Sequence, residues 1–321
     1  MRPTYLLPLR REIAEQADGE LARYVRDLAG SCDVLVVDGS TPAVAQANAA
    51  AFGSTVTLIT PAEDLRCANG KTWGVHTGLR HGGEVVVIAD DDVRWDPAAL
   101  ARALAMLDSC DLVLPQNYFS PLVWHAAWDT GRTLLNRAVA HDWPGTLVLR
   151  SSALPETPPY RGDALFENCE LLRTVRADGG RVRVAGDLFV ARRPPSVRQF
   201  LSQRPRQAYD DLSQPARMTL MLLVLPVALR VRGRGLALAI AVCVAVAETG
   251  RRRHRGGHVF PWYTSLCAPL WMCERSLTAW WAMWLRISGR GAMYGGRRLL
   301  LAATPGRVLR RRAATRGRRP A

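Results

Sequence analysis

Three carboxylates stand side by side in "EVVVIADDDVRWDP", residues 84–97: Asp90, Asp91 and Asp92. Like charges this close repel, and withdrawing them from water is costly unless something offsets it. Helix capping accounts for a fourth acid, because Asp96 followed by Pro97 supplies the cap and first turn of a helix. The trio is left unexplained by local structure. Along an extended segment side chains alternate, so two of the three point the same way. Hard oxygen donors so placed suit Mg2+ or Mn2+, ions that keep water and share phosphate oxygens. The chemistry expected is a divalent cation bridging protein and diphosphate. A solvated acidic turn is the bland alternative.

The elements that must position these acids are legible as patterns. Val85 to Ala89 is an apolar run of strand length. Before it come a strand signal in "TYLLPL" ended by Pro8, a helix spacing over Glu12 to Ala29, and a strand in "CDVLVVDGS". A helix follows over Thr41 to Gly53, with a Thr cap and Pro at its first position, and then a strand in "STVTLIT". "NGKTWGVHTGLRHGG" reads as a helix. "LPETPPY" is a loop, and "LFENCELLRTVRADGG" a helix whose apolar stripe is Phe166, Cys169, Leu172 and Val175. "RVRVAGDLFVARRPP" holds one or two strands and then a break. Alternating strands and helices predict a parallel sheet with helices on both faces, whose ligands bind at strand carboxyl ends. Asp38 and the Asp90–Asp92 cluster both fall there.

Charge divides the chain unevenly. Residues 192–321 carry 25 arginines and four acids, a net of +21, while residues 1–191 net −6. Such a basic end implies a polyanionic neighbour, an anionic membrane surface or nucleic acid. No helix-turn-helix or RNP-like pattern supports the second, so no nucleic-acid partner is expected. "MTLMLLVLPVAL" and "LALAIAVCVAVA" are apolar runs of twelve residues each, and residues 259–287 hold many of the ten tryptophans. Twelve residues reach only about 18 Å as helix, short of the roughly 20 residues a span needs. Arginines at their ends and the tryptophan cluster favour the membrane–water interface. "RRRHR" and the tail from Arg307 suit anionic headgroups. An all-helical domain with a basic face is the alternative. Seven cysteines with no CxxC pair fit a reduced environment, and "MRPTYLLPLRR" is too short in apolar residues for a signal peptide.

Several segments, in order, resemble family 2 glycosyltransferases, more specifically their membrane-attached, ceramide-glucosyltransferase-like branch. "LLPL" with Pro8 resembles the first strand, and "VVDGS" the strand whose terminal acid contacts the nucleoside. "NGKTWGVHTGL" resembles the lysine-bearing segment near the diphosphate, and "IADDDVRWDPAAL" the DxD strand. "WPGTLVLRSSAL" resembles the acceptor-side segment, "FENCEL" the ED-type motif and "QRPRQ" the QxxRW motif. The resemblance covers residues 4–212. It implies an α/β, Rossmann-like, nucleotide-sugar-binding glycosyltransferase fold (type A) over 1–212. A basic, Trp-rich helical membrane-associated region over 213–321 would follow. It implies Asp90 and Asp92 as ligands of Mg2+ or Mn2+, with Pro8, Asp38, Lys71, Asp91, Gln203 and Arg206 binding substrate. Asn168 stands where the motif has its aspartate, and an amide cannot take a proton. The general base is then Glu167 or Glu170, with Asp163 as an alternative. The two glutamates share a helix face opposite the stripe, where ordinary solvation competes with catalysis. Gln207 replaces the motif's tryptophan, and Pro205 would begin a helical turn with Arg206 at its N-terminus. The expected activity is inverting transfer from a nucleotide-sugar donor to a membrane lipid or lipid-linked glycan. The expected location is the cell membrane, with the catalytic domain on the cytoplasmic side. The alternative is a non-catalytic relative that binds a nucleotide sugar or tethers partners to the membrane.

Overall fold

The structure is a computed structural model in which residues 2–156 and 158–316 are described. Its elements begin with β1 (Thr4–Leu9), α1 (Glu20–Leu28), β2 (Asp33–Asp38), α2 (Pro42–Phe52), β3 (Thr57–Ile59) and α3 (Gly70–His81). Next come β4 (Val85–Ala89), β5 (Val93–Arg94), α4 (Pro97–Met106), β6 (Leu112–Phe119), α5 (Trp124–Val139) and β7 (Thr146–Arg150). After these stand α6 (Glu167–Ala177), β8 (Val182–Arg192), α7 (Val197–Asp210), α8 (Pro215–Arg230), α9 (Arg234–Arg252) and α10 (Ala268–Ile287). A hairpin of β9 (Ala292–Tyr294) and β10 (Arg297–Leu299) and a final helix, α11 (Gly306–Arg316), complete the chain. Two compact units result: Met1–Leu114, Gly145–Arg183 and Thr304–Ala321 form one, and Pro115–Pro144 with Val184–Ala303 the other. The sequence places one boundary near residue 212; these units divide the chain elsewhere and interleave.

In the first unit the strands are ordered β3-β2-β1-β4-β7, with the start of β6 beyond β7. β3, β2, β1 and β4 are mutually parallel. β7 runs antiparallel to both β4 and β6, so the sheet is mixed where a parallel one was expected. No single crossover helix precedes β7. The chain reaches it after an excursion through the other unit, so the βαβ geometry that makes the earlier neighbours parallel does not apply. Tyr5, Leu6, Leu7, Val86, Val87 and Ile88 are at most 3% exposed. Each such side chain contributes about 1.5–3 kcal/mol by leaving water. Leu9 pairs with Asp38, and Leu6 with Ile88, which brings the carboxyl ends of β1, β2 and β4 together.

α3 lies directly on β1 because two glycines, one turn apart, allow it. A Cβ at Gly78 would fall 2.0 Å from Leu6 Cδ1, and one at Gly74 3.0 Å from Pro8 Cβ. Pro8 does not end β1 but pairs with Val37 inside it. The helix expected from Glu12 begins only at Glu20, where Gly19 forms the extended N-cap residue. Residues 10–19 are instead a loop beyond β1.

The second unit is largely helical. Its core joins Leu134, Ala247, Phe260 and Ala268. α5 and α9 meet at Gly250, where a Cβ would stand 1.9 Å from Leu134 O. Arg137 is 2% exposed and donates to Gly250 O, Gly186 O, Gln116 Oε1 and Arg253 O. Its guanidinium also lies over the Phe189 and Phe260 rings.

The cell-membrane location is corrected here. Among the described residues, no helix is long and apolar enough to cross a membrane. The apolar runs do lengthen into helices, but by recruiting polar neighbours. α9 takes in Glu248, Arg251 and Arg252, α10 contains Glu274 and Arg275, and α8 is 16 residues with Pro226 inside it. Of the basic tail, residues 317–321 lie outside the described residues, as does Thr157 of the "LPETPPY" loop.

Candidate functional site

Lys71, the one lysine of the chain, sits in the first turn of α3. Asn69 caps that turn, its Oδ1 accepting from the N–H groups of Lys71 at 3.0 Å and Thr72 at 3.2 Å. The same side chain donates to Ala164 O at 2.8 Å, and its backbone N–H to Gly162 O at 2.8 Å. One buried asparagine therefore fixes the start of α3 and the loop leading into α6. Glu167 opens α6. Lys71 Nζ lies 2.5 Å from Asp90 Oδ1 and 2.7 Å from Glu167 Oε1. A cation at a helix N-terminus is unfavourable by itself, and these two carboxylates offset it. Burial pushes the Lys71 ammonium down, but Asp90 and Glu167 outweigh it and hold its pKa above the ordinary lysine value. Lys71 therefore stays charged at neutral pH.

The aspartate trio is a turn, not the extended segment expected: Val93 N–H donates to Asp90 O at 3.1 Å. Asp90 N–H is held by Gly145 O at 2.9 Å. The turn separates the three side chains. Asp90 faces Lys71, Asp91 is 47% exposed beside Arg11 at 3.4 Å, and Oδ1 of Asp92 is buried. Arg94 donates to the carbonyls of Asp91 and Val93 at 2.7 and 2.8 Å, bracing the turn. Asp96 caps α4 through Ala98 and Ala99, as its Pro97 neighbour suggests. The charge of the trio is thus partly offset by Lys71 and Arg11.

Asp38 is 1% exposed. Its oxygens accept from Ser40 N–H at 2.8 Å and Asn48 Nδ2 at 2.7 Å. Asn48 Oδ1 in turn accepts Glu15 N–H at 2.7 Å, and Ser40 Oγ accepts Arg11 N–H at 2.8 Å. Arg11 is also ion-paired with Glu15. The loop after β1 is therefore tied to the ends of β2 and β4 through Arg11. Sequence reasoning missed Arg11, Asn48 and Asn69. Asn before Gly at a helix start was a readable capping signal for Asn69. Nothing local marks the other two.

Glu167 and Glu170 do not share a solvated face. Glu167 is half-buried against Lys71, while Glu170 is 0% exposed and accepts Thr304 N–H at 2.5 Å. Asp163 is engaged by Arg161, whose hydrogen bonds hold its carboxyl below the usual range and weaken it as a base. His76 packs edge-on against Tyr160 at 4.6 Å, and burial pushes its pKa down to about 4. Tyr160 is raised well above its ordinary value by burial and then by the Glu167 charge.

Gln203 and Arg206 belong to the second unit. Pro205 lies inside α7, so Arg206 is mid-helix, not at an N-terminus, and its guanidinium covers the Tyr294 ring at 4.9 Å. The buried member of that motif is Arg204. Arg204 reaches Asp129 at 2.7 Å, Glu274 at 2.9 Å and Gln207 at 3.0 Å. A cleft of about 730 Å³ lined by Asp111, Glu156, Asp178 and Arg316 includes none of the Lys71 group.

Among the described residues no group of three or more His, Cys, Asp and Glu forms a metal cage. Asp90 and Asp92 stand two residues apart on one turn, and carboxylate oxygens are the donor type that Mg2+ and Mn2+ take in preference to softer metals.

No family model matches the chain, and no curated protein does. Solved structures do. The mannosyltransferase PcManGT from Pyrobaculum calidifontis, in complex with GDP-Man and Mn2+, is 18% identical over 88% of each chain, with a TM-score of 0.49. Glucosyl-3-phosphoglycerate synthase from Mycobacterium tuberculosis, with Mn2+, UDP and phosphoglyceric acid, is 15% identical over 64% of this chain and 76% of its own, TM-score 0.40. S. aureus TarS 1-349, with UDP-GlcNAc, is 12% identical over 92% and 95%, TM-score 0.41. The mycobacterial synthase has also been crystallised with Mg2+ and UDP. At such identities and scores the likeness assigns neither ligand nor activity to this chain.

Proposed function

We propose that the protein is a metal-dependent glycosyltransferase of type A fold that takes its sugar from a nucleotide diphosphate donor. The observation that carries this is the meeting of Asp90, Lys71 and Glu167 within 2.7 Å contacts, with Glu167 brought in from 96 residues beyond Lys71. The meeting lies at the strand ends where open α/β sheets bind ligands. Asp90 and Asp92 would hold Mg2+ or Mn2+. When bound, the ion offsets the charge that builds on the departing diphosphate. Lys71 adds a fixed cation beside it, and two helix N-termini, of α3 and α6, converge there with their positive ends. Glu167 takes the acceptor hydroxyl proton as that oxygen bonds the anomeric carbon and the sugar–phosphate bond breaks. Attack from the face opposite the leaving group inverts the centre. Pro8 and Asp38 form the nucleoside end, with Asp91 beside it, while Gln203 and Arg206 remain part of the substrate-binding reading on motif resemblance alone.

The finer assignments, family 2 and its ceramide-glucosyltransferase-like branch, rest on the same ordered motifs. A lipid or lipid-linked acceptor is supported by apolar side chains that α8, α9 and α10 expose, among them Leu223, Leu238, Trp280 and Trp281. A second reading, a non-catalytic nucleotide-sugar binder, is favoured by Lys71 and Arg11, which already partner Asp90 and Asp91. Thermal shift and nucleotide release with UDP and GDP sugars plus Mn2+, on wild type and Asp92→Asn, separate the two. The enzyme predicts Mn2+-dependent stabilisation by a nucleotide and a release rate that falls about 100-fold or more in the variant. Stabilisation with equally absent release in both proteins selects the binder. No stabilisation by any nucleotide refutes both.

A further inference from the structure

The first turn of α6 presents Glu167. One turn on, Glu170 is fully buried, which is costly for an acid unless it is partnered. Its partner comes from 134 residues away: Oε2 accepts Thr304 N–H at 2.5 Å. Arg173 donates to Thr304 O at 3.0 Å. Past the other end of α6, Arg316 pairs with both oxygens of Asp178 at 2.6 and 2.8 Å. α11 packs along α6 between these points, with Leu309 buried, and Thr304 is itself only 2% exposed. Among the described residues, Glu170 Oε1 and Thr304 Oγ1 are both buried without a hydrogen-bond partner.

We infer that residues 304–316 form a clasp on α6, and that Glu170 is a positioning residue which, through the clasp, sets Glu167 against Lys71. The inference rests on the Lys71–Glu167 pair as the heart of the site, but its test needs no turnover. Lys71 is the single lysine, so labelling the full chain with 13C,15N-lysine yields a single side-chain Nζ resonance. Glu167→Gln calibrates how far that resonance moves when the pair is broken. Glu170→Leu should move it at least half as far and speed amide exchange in the first turns of α6 about tenfold. Glu170→Gln, which keeps an acceptor for Thr304 N–H, should restore the wild-type signal. Arg173→Ala combined with Arg316→Ala loosens the clasp from its more exposed side and should shift the resonance in the same direction; it decides the matter should Glu170→Leu fail to fold. A folded Glu170→Leu protein, or a folded double variant, with an unmoved Lys71 resonance overturns the inference. A protein that proves catalytically inert but shows these shifts refutes the enzyme and leaves the clasp standing.

Discussion

Replacing Lys71 by methionine removes the cation between Asp90 and Glu167 while keeping a side chain of similar length. The two acceptor oxygens lie 2.5 and 2.7 Å from the same nitrogen, so they are at most about 5 Å apart. Two unit charges at that spacing, in an effective dielectric of about 20, repel by about 3 kcal/mol. The three side chains are only 14–22% exposed, so solvent screening reduces this without erasing it. The pH dependence has a definite sign. The folded-state pKa of Lys71 is raised, so its contribution is complete below the ordinary lysine value and is lost only as pH rises beyond it. At pH 8 the variant faces two opposed carboxylates and should lose about 3 kcal/mol of unfolding free energy. Removing one of the two charges as well, in Lys71→Met combined with Glu167→Gln, should shrink the loss to about 1 kcal/mol. Urea titrations of both variants at pH 8, followed by circular dichroism, give both numbers. An equal loss in the two variants, or none in either, would show that Lys71 is not the counter-ion of this pair.

His76 offers a complementary titration. Burial lowers its folded pKa to about 4, so stability should fall by about 3 kcal/mol as pH drops from 6.5 to 4 and level off below; His76→Phe should flatten that slope in the same urea series. Asn69→Ala removes the α3 cap and the tie to Ala164, and a loss of about 1–2 kcal/mol is expected together with a moved Lys71 resonance. Arg137→Met strands the carbonyls of Gly186, Gly250 and Arg253, so thermal unfolding should report a loss of about 3–5 kcal/mol.

The segments with one dominant local signal were legible from residue order. The apolar run Val85–Ala89 is a buried strand, Asp96-Pro97 does cap a helix, and the glycines of "NGKTWGVHTGL" lie on α3. The strand-end position of Asp38 and of the aspartate trio followed from the same patterns. Periodicity failed where a breaker was discounted or overrated. Gly19 delayed α1, and Pro205 was absorbed inside α7, whose later residues Ala208 and Tyr209 are buried and hold the helix together.

Residue order alone determined many of the strands and helices, where the acids cluster, and that a single lysine precedes them. Those features depend on neighbours within a few residues. Only the tertiary structure decided what each acid faces. It turned Asp90 toward Lys71 and Asp91 toward Arg11, buried Glu170 under Thr304, and reversed β7 in the sheet. Those outcomes join groups separated by about 20 to 134 residues. Contacts at such separations are set by how whole elements pack, which no local pattern encodes.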